Sequence, residues 1–161
     1  MKNIRIEPIG TDIDVLTRAN VISVLLAQSQ GRVKAVCGGK GLCATCHIKV
    51  LDGNGSLSPQ TPREISTLSL ISGTTAASRL ACQAKIIADG CVVEVPQGIY
   101  LESLASLESL IGRRADETII HPVTGVALIP QGKIITRSVI MSLKNIETDV
   151  LEMLQASERI M

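Results

Sequence analysis

Apolar and charged residues alternate in two short segments at the start of the chain. Ile4 and Ile6 alternate with charged neighbours, as do Ile13 and Val15, and the turn-forming sequence Pro8-Ile9-Gly10 separates the two segments. Alternation with a period of two is typical of a half-buried strand. The pattern therefore predicts two strands that pair as a hairpin.

Two helices are predicted in the next part of the chain. Asn20 stands at the N-cap of the apolar run VISVLLAQSQ, and Gly31 is placed to end that helix. Thr61-Pro62-Arg63-Glu64 has the sequence of a capping box, with Pro at the first helical position. It predicts a short helix that reaches about Ile71.

Further strand-like runs lie at 47–53, 80–87 and 92–95, and Asp89-Gly90 between the last two is a hairpin signal. With the elements above, these runs predict an α+β unit with one mixed sheet. Pro96-Gln97-Gly98 marks a boundary. The chain then divides into residues 1–98 and a C-terminal extension, residues 99–161.

The C-terminal extension is predicted to be an α/β unit that ends in a helix. Leucines recur every three residues from Leu101 to Leu110, on a helix that Gly112 is placed to end, and short strands with a turn at Thr124-Gly125 follow. From Thr136, a long helix carries an apolar stripe. Its members are Val139, Leu143, Ile146, Val150 and Leu154. The stripe either packs on its own domain or forms a surface for a homodimer or another partner.

The amino-acid composition excludes some classes of function. In 161 residues the hydrophobic fraction is 45%, aromatic residues make up 1%, and the formal net charge is +1. The chain therefore lacks both the basic surface and the stacking aromatics of nucleic-acid binders. No apolar run approaches the roughly 18 residues of a transmembrane helix, and no secretory signal is visible. We expect a soluble cytoplasmic protein, in which cysteines are ligands or free thiols more often than disulfides.

The candidate chemistry lies in CGGKGLCATCH, residues 37–47, which contains Cys37, Cys43 and Cys46. A [2Fe–2S] cluster needs four thiolates from a folded chain, and backbone amides must offset the negative charge of its sulfurs. Glycines between the first two cysteines allow a close wrap, and small residues stand between the second and third. The candidate for a distant fourth ligand is Cys82.

Three other kinds of site share parts of this pattern. Cys43-Ala44-Thr45-Cys46-His47 has the spelling of a covalent c-type haem site, but Cys37 and the glycines would then have no role. Structural zinc sites usually pair two close-spaced turns, whereas here one tight pair stands with two scattered cysteines. A redox dithiol at Cys43 and Cys46 leaves the other two unexplained. The [2Fe–2S] interpretation uses all four.

The spacing also resembles a known family. Cys-x5-Cys-x2-Cys followed by a distant Cys, with CGGKGLCATCHIKV, LSPQTPRE and SRLACQ in this order, is similar to the [2Fe–2S] ferredoxins of the adrenodoxin-like type, vertebrate and bacterial. The resemblance covers residues 1 to about 98. It implies a β-grasp ferredoxin domain that carries single electrons, with Cys37, Cys43, Cys46 and Cys82 as the cluster ligands. The cofactor-binding residues around them are Gly38, Gly39, Lys40, Gly41, Leu42, Ala44 and Thr45. More loosely, residues 112–138 resemble the tails of C-terminally extended ferredoxins of photosynthetic bacteria.

Ferredoxins of this family typically dock their partners through acidic surfaces, and the charge of this chain departs from that pattern. Residues 1–98 hold 10 basic and 7 acidic residues, and the short helix after Thr61 offers only Glu64. We therefore expect a partner with an acidic or neutral face. The C-terminal extension, with 6 basic and 8 acidic residues, is a second candidate docking surface. Lys40 either raises the reduction potential or is a solvated loop lysine, and Leu42 is expected to shield the cluster from water.

The sequence thus predicts a soluble [2Fe–2S] electron carrier that is not itself an enzyme. Its partners would be a ferredoxin reductase or another electron donor and an acceptor enzyme, and the extension would serve partner recognition or oligomerisation. The alternative is a regulatory or binding protein in which an iron–sulfur or zinc site is a sensor or a structural staple. Cys91 is expected to be a buried small hydrophobe and His121 a turn residue.

Overall fold

The structure, a computed structural model, describes residues 1–160. Its first part contains, in chain order, β1 (Lys2–Glu7), β2 (Thr11–Val15), α1 (Val21–Gln28), β3 (His47–Asp52), a 3-10 turn (Asn54–Ser56), α2 (Pro62–Leu68), β4 (Ser78–Leu80) and β5 (Cys91–Glu94). The predicted hairpin of β1 and β2 is confirmed, with Ile4 opposite Ile13. No helix of residues 1–160 is long and apolar enough to cross a membrane.

The five strands form one mixed sheet in the order β2-β1-β5-β3-β4. Strand β5 runs parallel to β1 and antiparallel to β3. A parallel pair requires a long crossover connection. Here the crossover contains α1, the cysteine segment, β3, α2 and β4, so the cysteine segment connects helix α1 to strand β3 of the sheet. The predicted α+β class with a mixed sheet is confirmed.

The predicted hairpin between residues 80–87 and 92–95 is wrong. Strand β3 lies between β4 and β5, and its Lys49 pairs with Ser78 on one side and Glu94 on the other. After Leu80 the chain leaves the sheet and makes only isolated bridges, from Lys85 to Asn20 and from Ile86 to Leu57. The Asp89-Gly90 turn signal depends on neighbouring residues only, whereas β5 pairs with the distant strand β1.

The two N-terminal helices begin where the sequence predicts, but their caps differ. The Thr61 side chain accepts a hydrogen bond from the backbone N–H of Glu64 at 3.1 Å, as a capping box requires. The Glu64 side chain does not return the bond, because it is used elsewhere in the fold. Asn20 is at the N-cap of α1, yet its side chain makes no capping hydrogen bond. Helix α2 ends at Leu68, three residues short of the predicted Ile71.

The C-terminal extension forms a second, smaller sheet with helices. Its elements are β6 (Ile99–Tyr100), α3 (Leu104–Glu108), β7 (Ile119–Ile120), β8 (Ala127–Ile129), α4 (Arg137–Ser142) and α5 (Asn145–Glu158). The sheet order is β6-β7-β8, with β7 parallel to β6 and antiparallel to β8. The predicted turn at Thr124-Gly125 lies between β7 and β8, where the Gly125 N–H donates to the His121 carbonyl.

The single long helix predicted from Thr136 is wrong, because the chain breaks into α4 and α5. Thr136 caps α4 through the backbone N–H of Val139, and the break falls at Leu143 and Lys144. Ile140 on α4 and Ile146 on α5 both enter the second core. These two positions are six residues apart, which in one straight helix would place them on different faces. The break allows both to be buried together.

Two apolar cores and one small cluster hold the molecule together. The first core lies under the five-stranded sheet, and Tyr100 of the extension is buried in it. The second core lies within residues 101–146. A third cluster contains Cys37 and Cys43 of the cysteine segment and Met153 of α5. The C-terminal helix therefore folds back onto the cysteine segment, which no pattern in the sequence indicates.

Candidate metal centre

The segment between α1 and β3 is a loop built around left-handed backbone positions. Gly38, Gly39 and Gly41 have φ of +72°, +77° and +73°. Residues with a Cβ atom are strained in this region, so the glycines are required by the path of the chain. At Gly41 a Cβ would also lie 3.1 Å from the Gln83 side chain. The loop can therefore turn its backbone N–H groups inward.

Four buried cysteine thiols lie along and beside this loop. Cys37, Cys43, Cys46 and Cys82 are between 1% and 8% exposed. They lie in two pairs, Cys37 beside Cys43 and Cys46 beside Cys82, and the members of each pair shift each other's pKa. The structure thus brings all four predicted ligands to one place. The fifth cysteine is elsewhere: Cys91 is buried in the first core, where burial raises the pKa of its thiol to about 11.

Hydrogen bonds favour a thiolate in each pair. The bond from Cys43, with the backbone N–H groups of Leu42, Lys40 and Gly41, lowers the pKa of Cys37 to about 5 against the opposing effect of burial. The bond from Cys46, with those from the Gln83 side chain and the Gly41 amide, lowers the pKa of Cys82. The loop amides therefore point at sulfur. This is the arrangement that a negatively charged metal–thiolate group needs.

The other thiol of each pair has its pKa shifted in the opposite direction. The pKa of Cys43 is raised by its bond to Cys37 and by burial, and the pKa of Cys46 is raised by its bond to Cys82 and by burial. Loss of both protons from one pair would place two negative charges side by side in a buried site. A bound cation would offset that charge, so two thiolates in this position suit one metal ion.

The small residues between Cys43 and Cys46 are fully buried and fix the loop from behind. The Thr45 hydroxyl donates to the Lys34 carbonyl at 2.9 Å and accepts from the Val36 N–H at 3.3 Å. It also lies 3.0 Å from the Cys43 sulfur. The Ala44 N–H donates to the carbonyl of Pro122 in the extension at 2.9 Å. Both residues therefore position the loop and leave the sulfurs facing inward.

Strand β4 brings Cys82 to the loop. The Ala81 N–H donates to the Cys46 carbonyl at 3.0 Å, so the two cysteine-bearing segments are joined through their backbones. A buried ion pair then fixes β4 on α2. Arg79 donates to both carboxylate oxygens of Glu64, at 2.7 and 3.2 Å, and the Leu80 N–H donates to the same carboxylate at 2.9 Å. Glu64, fully buried, therefore supports the site and is not a docking residue.

Gln83 and Thr67 are site residues that the sequence analysis did not predict. The Gln83 side chain donates to the Gly39 carbonyl at 3.4 Å, contacts the Cys82 sulfur at 3.6 Å and accepts from the Thr61 hydroxyl at 3.0 Å. The Thr67 hydroxyl donates to the Gly41 carbonyl. Both tie the loop to α2. Gln83 is a polar residue next to the candidate ligand Cys82, and Thr67 is a polar residue of α2. Sequence spacing alone could not single out either one as a site residue.

Lys40 and Leu42 of the loop contact the extension. Lys40 donates to the carbonyls of Ser157, at 3.1 Å, and Ile160, so it is neither a free charge beside the thiols nor a solvated lysine. A cation is favourable at the C-terminus of a helix, where carbonyls are unpaired. Leu42, half-buried, packs on the cluster of Cys37, Cys43 and Met153, which agrees with a shielding role.

The two histidines have structural partners. His47 lies 2.8 Å from the Ser78 hydroxyl, and burial, helped by Lys49, lowers the pKa of its ring to about 4. His121 accepts from the backbone N–H groups of Val123 and Thr124, and its other ring nitrogen lies 2.9 Å from the Asp149 carboxylate of α5. His47, the histidine of the haem-like motif, is therefore hydrogen-bonded to β4. His121, predicted as a turn residue, also links the turn to α5.

The donor set distinguishes between the candidate metal groups. Among residues 1–160 no three Cys, His, Asp or Glu side chains converge on a point that one metal ion could occupy. A structural zinc site requires four such donors around one ion. Two thiol pairs with loop amides directed at sulfur instead fit a group with two metal ions, each held by two thiolates. The residues present therefore fit a [2Fe–2S] cluster.

Comparison with known proteins agrees with this donor set. Residues 4–86 match the model of the 2Fe-2S iron-sulfur cluster binding domain. The chain is 33% identical over 91 residues to a 2Fe-2S ferredoxin of Haemophilus influenzae, covering 56% of this chain and 79% of the relative.

Two solved structures show the same β-grasp fold. The ISC-like [2Fe-2S] ferredoxin of Pseudomonas putida superposes with a TM-score of 0.54 at 27% identity, over 60% of this chain and 93% of the other. Putidaredoxin in its covalent complex with putidaredoxin reductase superposes with a TM-score of 0.52 at 25% identity, over 59% of this chain and 98% of the other. The family model ends at residue 86 of the 161 residues, and both superpositions leave about 40% of this chain unmatched. The chain belongs to the [2Fe–2S] ferredoxin family and is a one-electron carrier.

Proposed function

We propose that Cys37, Cys43, Cys46 and Cys82 hold the [2Fe–2S] cluster, and that the chain passes single electrons between a ferredoxin reductase or another donor and an acceptor enzyme. The observation that carries this proposal is the two buried thiol pairs with backbone amides directed at sulfur. Family membership supports the cluster, and the complex of putidaredoxin with its reductase supports the kind of donor.

The bound cluster supplies reversible one-electron reduction, and the protein residues set its environment. The amides of Lys40, Gly41 and Leu42 face the sulfur of Cys37, where they stabilise negative charge without having to reorganise. The first core keeps water from Cys46 and Cys82. No catalytic group is needed for electron transfer, so we propose that the chain acts as a carrier only.

The docking surface is proposed to include the exposed face of α5. This helix lies against the cysteine loop, and its residues Glu147, Glu152 and Glu158 are exposed, while α2 offers no exposed acidic residue. A partner that presents basic residues around an apolar centre would match this face, which also exposes Leu151 and Leu154. This revises the sequence expectation of an acidic or neutral partner face, which counted the whole of residues 1–98 and not the surface near the loop.

Ionic strength tests the docking surface. Electron transfer to a c-type cytochrome of positive net charge should slow as salt rises. Glu152→Lys should slow it at low salt, whereas Glu108→Lys on α3, with the same charge change away from the loop, should have a smaller effect. Equal effects of the two variants would show that only net charge matters and would remove α5 from the docking surface.

The boundary at residue 98 and a role of residues 99–161 in partner recognition or oligomerisation stay proposals. A homodimer through the C-terminal helix would have to use its outer side, because Ile146, Val150 and Met153 contact the chain's own cores. Analytical ultracentrifugation of the wild type and of Leu151→Lys tests this dimer. The cytoplasmic location also stays a prediction, in keeping with five free cysteines.

The ligand assignment has a direct test. Wild-type protein purified without oxygen should contain two iron and two sulfide per chain and give a spin-half EPR signal on one-electron reduction. Cys82→Ser should lose most of the cluster, whereas Cys91→Ser should keep it, because Cys91 lies in the first core. A protein with one zinc and no visible absorption would contradict the proposal and favour a structural staple. A cluster that is lost equally in both variants would contradict the choice of Cys82.

A further inference from the structure

We propose that Met153 of α5 is a positioning residue of the metal centre: it closes the Cys37/Cys43 side of the cluster against water and thereby slows loss of the cluster and lowers its reduction potential. The inference rests on the proposed cluster ligands and assigns to the C-terminal extension a part in the environment of the cluster. It concerns a residue 71 positions beyond the last proposed ligand, outside the part of the chain that matches the family.

The two thiol pairs are buried by different parts of the chain. Cys46 and Cys82 are members of the first core, which residues 1–98 almost entirely provide. Cys37 and Cys43 are not members of that core. They form a separate cluster whose third buried member is Met153, 5% exposed. One thiol pair is therefore closed by the ferredoxin domain, and the other is closed by a side chain from the extension.

Helix α5 is held over the loop at several points. Its N-terminal Ile146 is buried in the second core. Near its middle, Asp149 lies 2.9 Å from the ring of His121. At its C-terminus, the carbonyls of Ser157 and Ile160 accept from Lys40 of the loop itself. The helix is therefore a fixed wall of the site, and Met153 is placed by contacts on both sides of it.

This wall changes how well the site stabilises the negative charge of a reduced cluster. Reduction adds an electron to a cluster and its four thiolates, which already carry negative charge. An environment without water stabilises the more highly charged reduced form less than water does, so exclusion of water lowers the potential. Methionine suits this position, because its long and unbranched side chain fills an irregular gap and has no polar group that would attract water.

Further apolar side chains surround the cluster that Met153 forms with Cys37 and Cys43. They come from the loop, the β7–β8 turn and α5, namely Val36, Leu42, Val123 and Val150. A shallow groove also runs along this contact, between Leu42, Val123 and Ala156. Truncation of Met153 would therefore connect the thiol pair to solvent through a short path and not leave a closed cavity.

The test uses the full-length protein with its cluster. Met153→Ala should release iron to a chelator about tenfold faster or more, since the path from solvent is opened. Its reduction potential should rise. Met153→Leu, which nearly conserves volume, should restore both properties to within about twofold in rate. The matched control is Met141→Ala on α4, a methionine that is 57% exposed, and it should behave as the wild type.

Two results would overturn the inference. One is that Met153→Ala keeps the wild-type potential and iron-release rate while circular dichroism shows an intact fold. The other is that Met141→Ala changes both properties as much as Met153→Ala does. If Met153→Ala loses helix content, Met153→Gln is used instead, which keeps the length and adds a polar amide beside the thiols. It should still raise the potential, and an unchanged potential there would equally overturn the inference. A wild-type protein without iron would refute the proposed function, whereas a wild-type cluster indifferent to Met153 would refute this inference alone.

Discussion

The two thiol pairs of this protein differ in what encloses them. Cys46 and Cys82 lie in the first core, on segments joined by the hydrogen bond from the Ala81 N–H to the Cys46 carbonyl. Cys37 and Cys43 lie outside that core, in a small buried cluster whose third member is Met153. The ferredoxin domain therefore supplies all four sulfurs but encloses only one pair, and the extension encloses the other.

From this difference we infer that an added segment alters the metal centre without supplying a ligand. The extension contacts the loop through the Pro122 carbonyl, through Met153 and through the carbonyls bonded to Lys40. None of these groups binds metal. They act on the exposure and position of the loop, which are the properties that tune an iron–sulfur group besides its ligands.

The largest effect is expected on the side of Cys46 and Cys82. Glu64→Ala would leave the buried Arg79 without its partner and remove the acceptor of the Leu80 N–H. Loss of one partner of a buried ion pair typically costs about 3–5 kcal/mol of unfolding free energy. Urea unfolding followed by circular dichroism measures it. Glu108→Ala, on the surface of α3, should change stability by less than about 0.5 kcal/mol, and a similar loss in both variants would contradict this account of Glu64.

The next effect concerns the contact between the extension and the loop. Gly125 and Gly132 both have positive φ, of +72° and +84°. A Cβ at Gly125 would lie 2.9 Å from Ile71, while a Cβ at Gly132 meets nothing within 4 Å. Gly132→Ala should therefore cost about 1 kcal/mol through backbone strain alone. Gly125→Ala should cost about 2–4 kcal/mol, because overpacking adds to that strain.

Thermal unfolding of both glycine variants measures the difference between them. Iron release from Gly125→Ala should also quicken, because Ala44 of the loop lies 3.5 Å from the added atom. Equal destabilisation in the two variants would mean that the extension does not press on the loop.

The pH dependence of unfolding free energy should report on His47, the first residue of β3, which directly follows Cys46. The pKa of this ring is lowered to about 4 in the folded chain from an ordinary 6.5, because burial disfavours its charged form. Below pH 6.5 the unfolded chain therefore binds a proton that the folded chain does not bind until about pH 4. Stability should fall as pH decreases through this window, by about 2 kcal/mol between pH 7.5 and pH 5.

Comparison of the wild type with His47→Gln, by urea unfolding at the two pH values, isolates this contribution. The variant should lack the pH-dependent loss. An equal loss in both proteins would assign the acid sensitivity to other groups.

The smallest effect is expected at the rim of the contact between the two parts. Lys34 and Glu102 form an ion pair, and the Glu102 side chain is 72% exposed. Exposed pairs contribute less than about 1 kcal/mol, and salt screens them. Glu102→Gln should therefore change the unfolding midpoint slightly at low salt and not at high salt. A large loss that persists in high salt would mean that this pair, and not packing, holds the extension in place.

Local features of the fold were predictable from the sequence, and long-range pairings were not. The β1–β2 hairpin and the Thr61 cap depend on neighbouring residues, and both are confirmed. The hairpin predicted around Asp89-Gly90 failed because β5 pairs with β1, and the long C-terminal helix failed because Ile140 and Ile146 share one core. Hydrophobic periodicity depends on nearby residues alone. It does not indicate which distant element will pair with a strand or pack on a helix face.

The candidate site shows the same division. The spacing of Cys37, Cys43 and Cys46 and the glycines between them are local, because one tight loop must supply thiolates and amides together. Cys82 was identified by its distance and its family resemblance, and the structure brings it to the loop. Gln83 and Met153 were missed, because each contacts the site through a fold that sequence spacing does not describe.

The sequence by itself determined the kind of chemistry, since four cysteines around a glycine-rich loop favour a [2Fe–2S] group over other metal sites. Only the tertiary structure decided how that chemistry is enclosed. It buried Glu64 against Arg79, turned Lys40 toward the end of α5 and placed Met153 beside Cys37 and Cys43. The physical reason is that ligand type and loop conformation depend on adjacent residues. Burial and charge pairing depend on which distant surfaces the hydrophobic effect brings together.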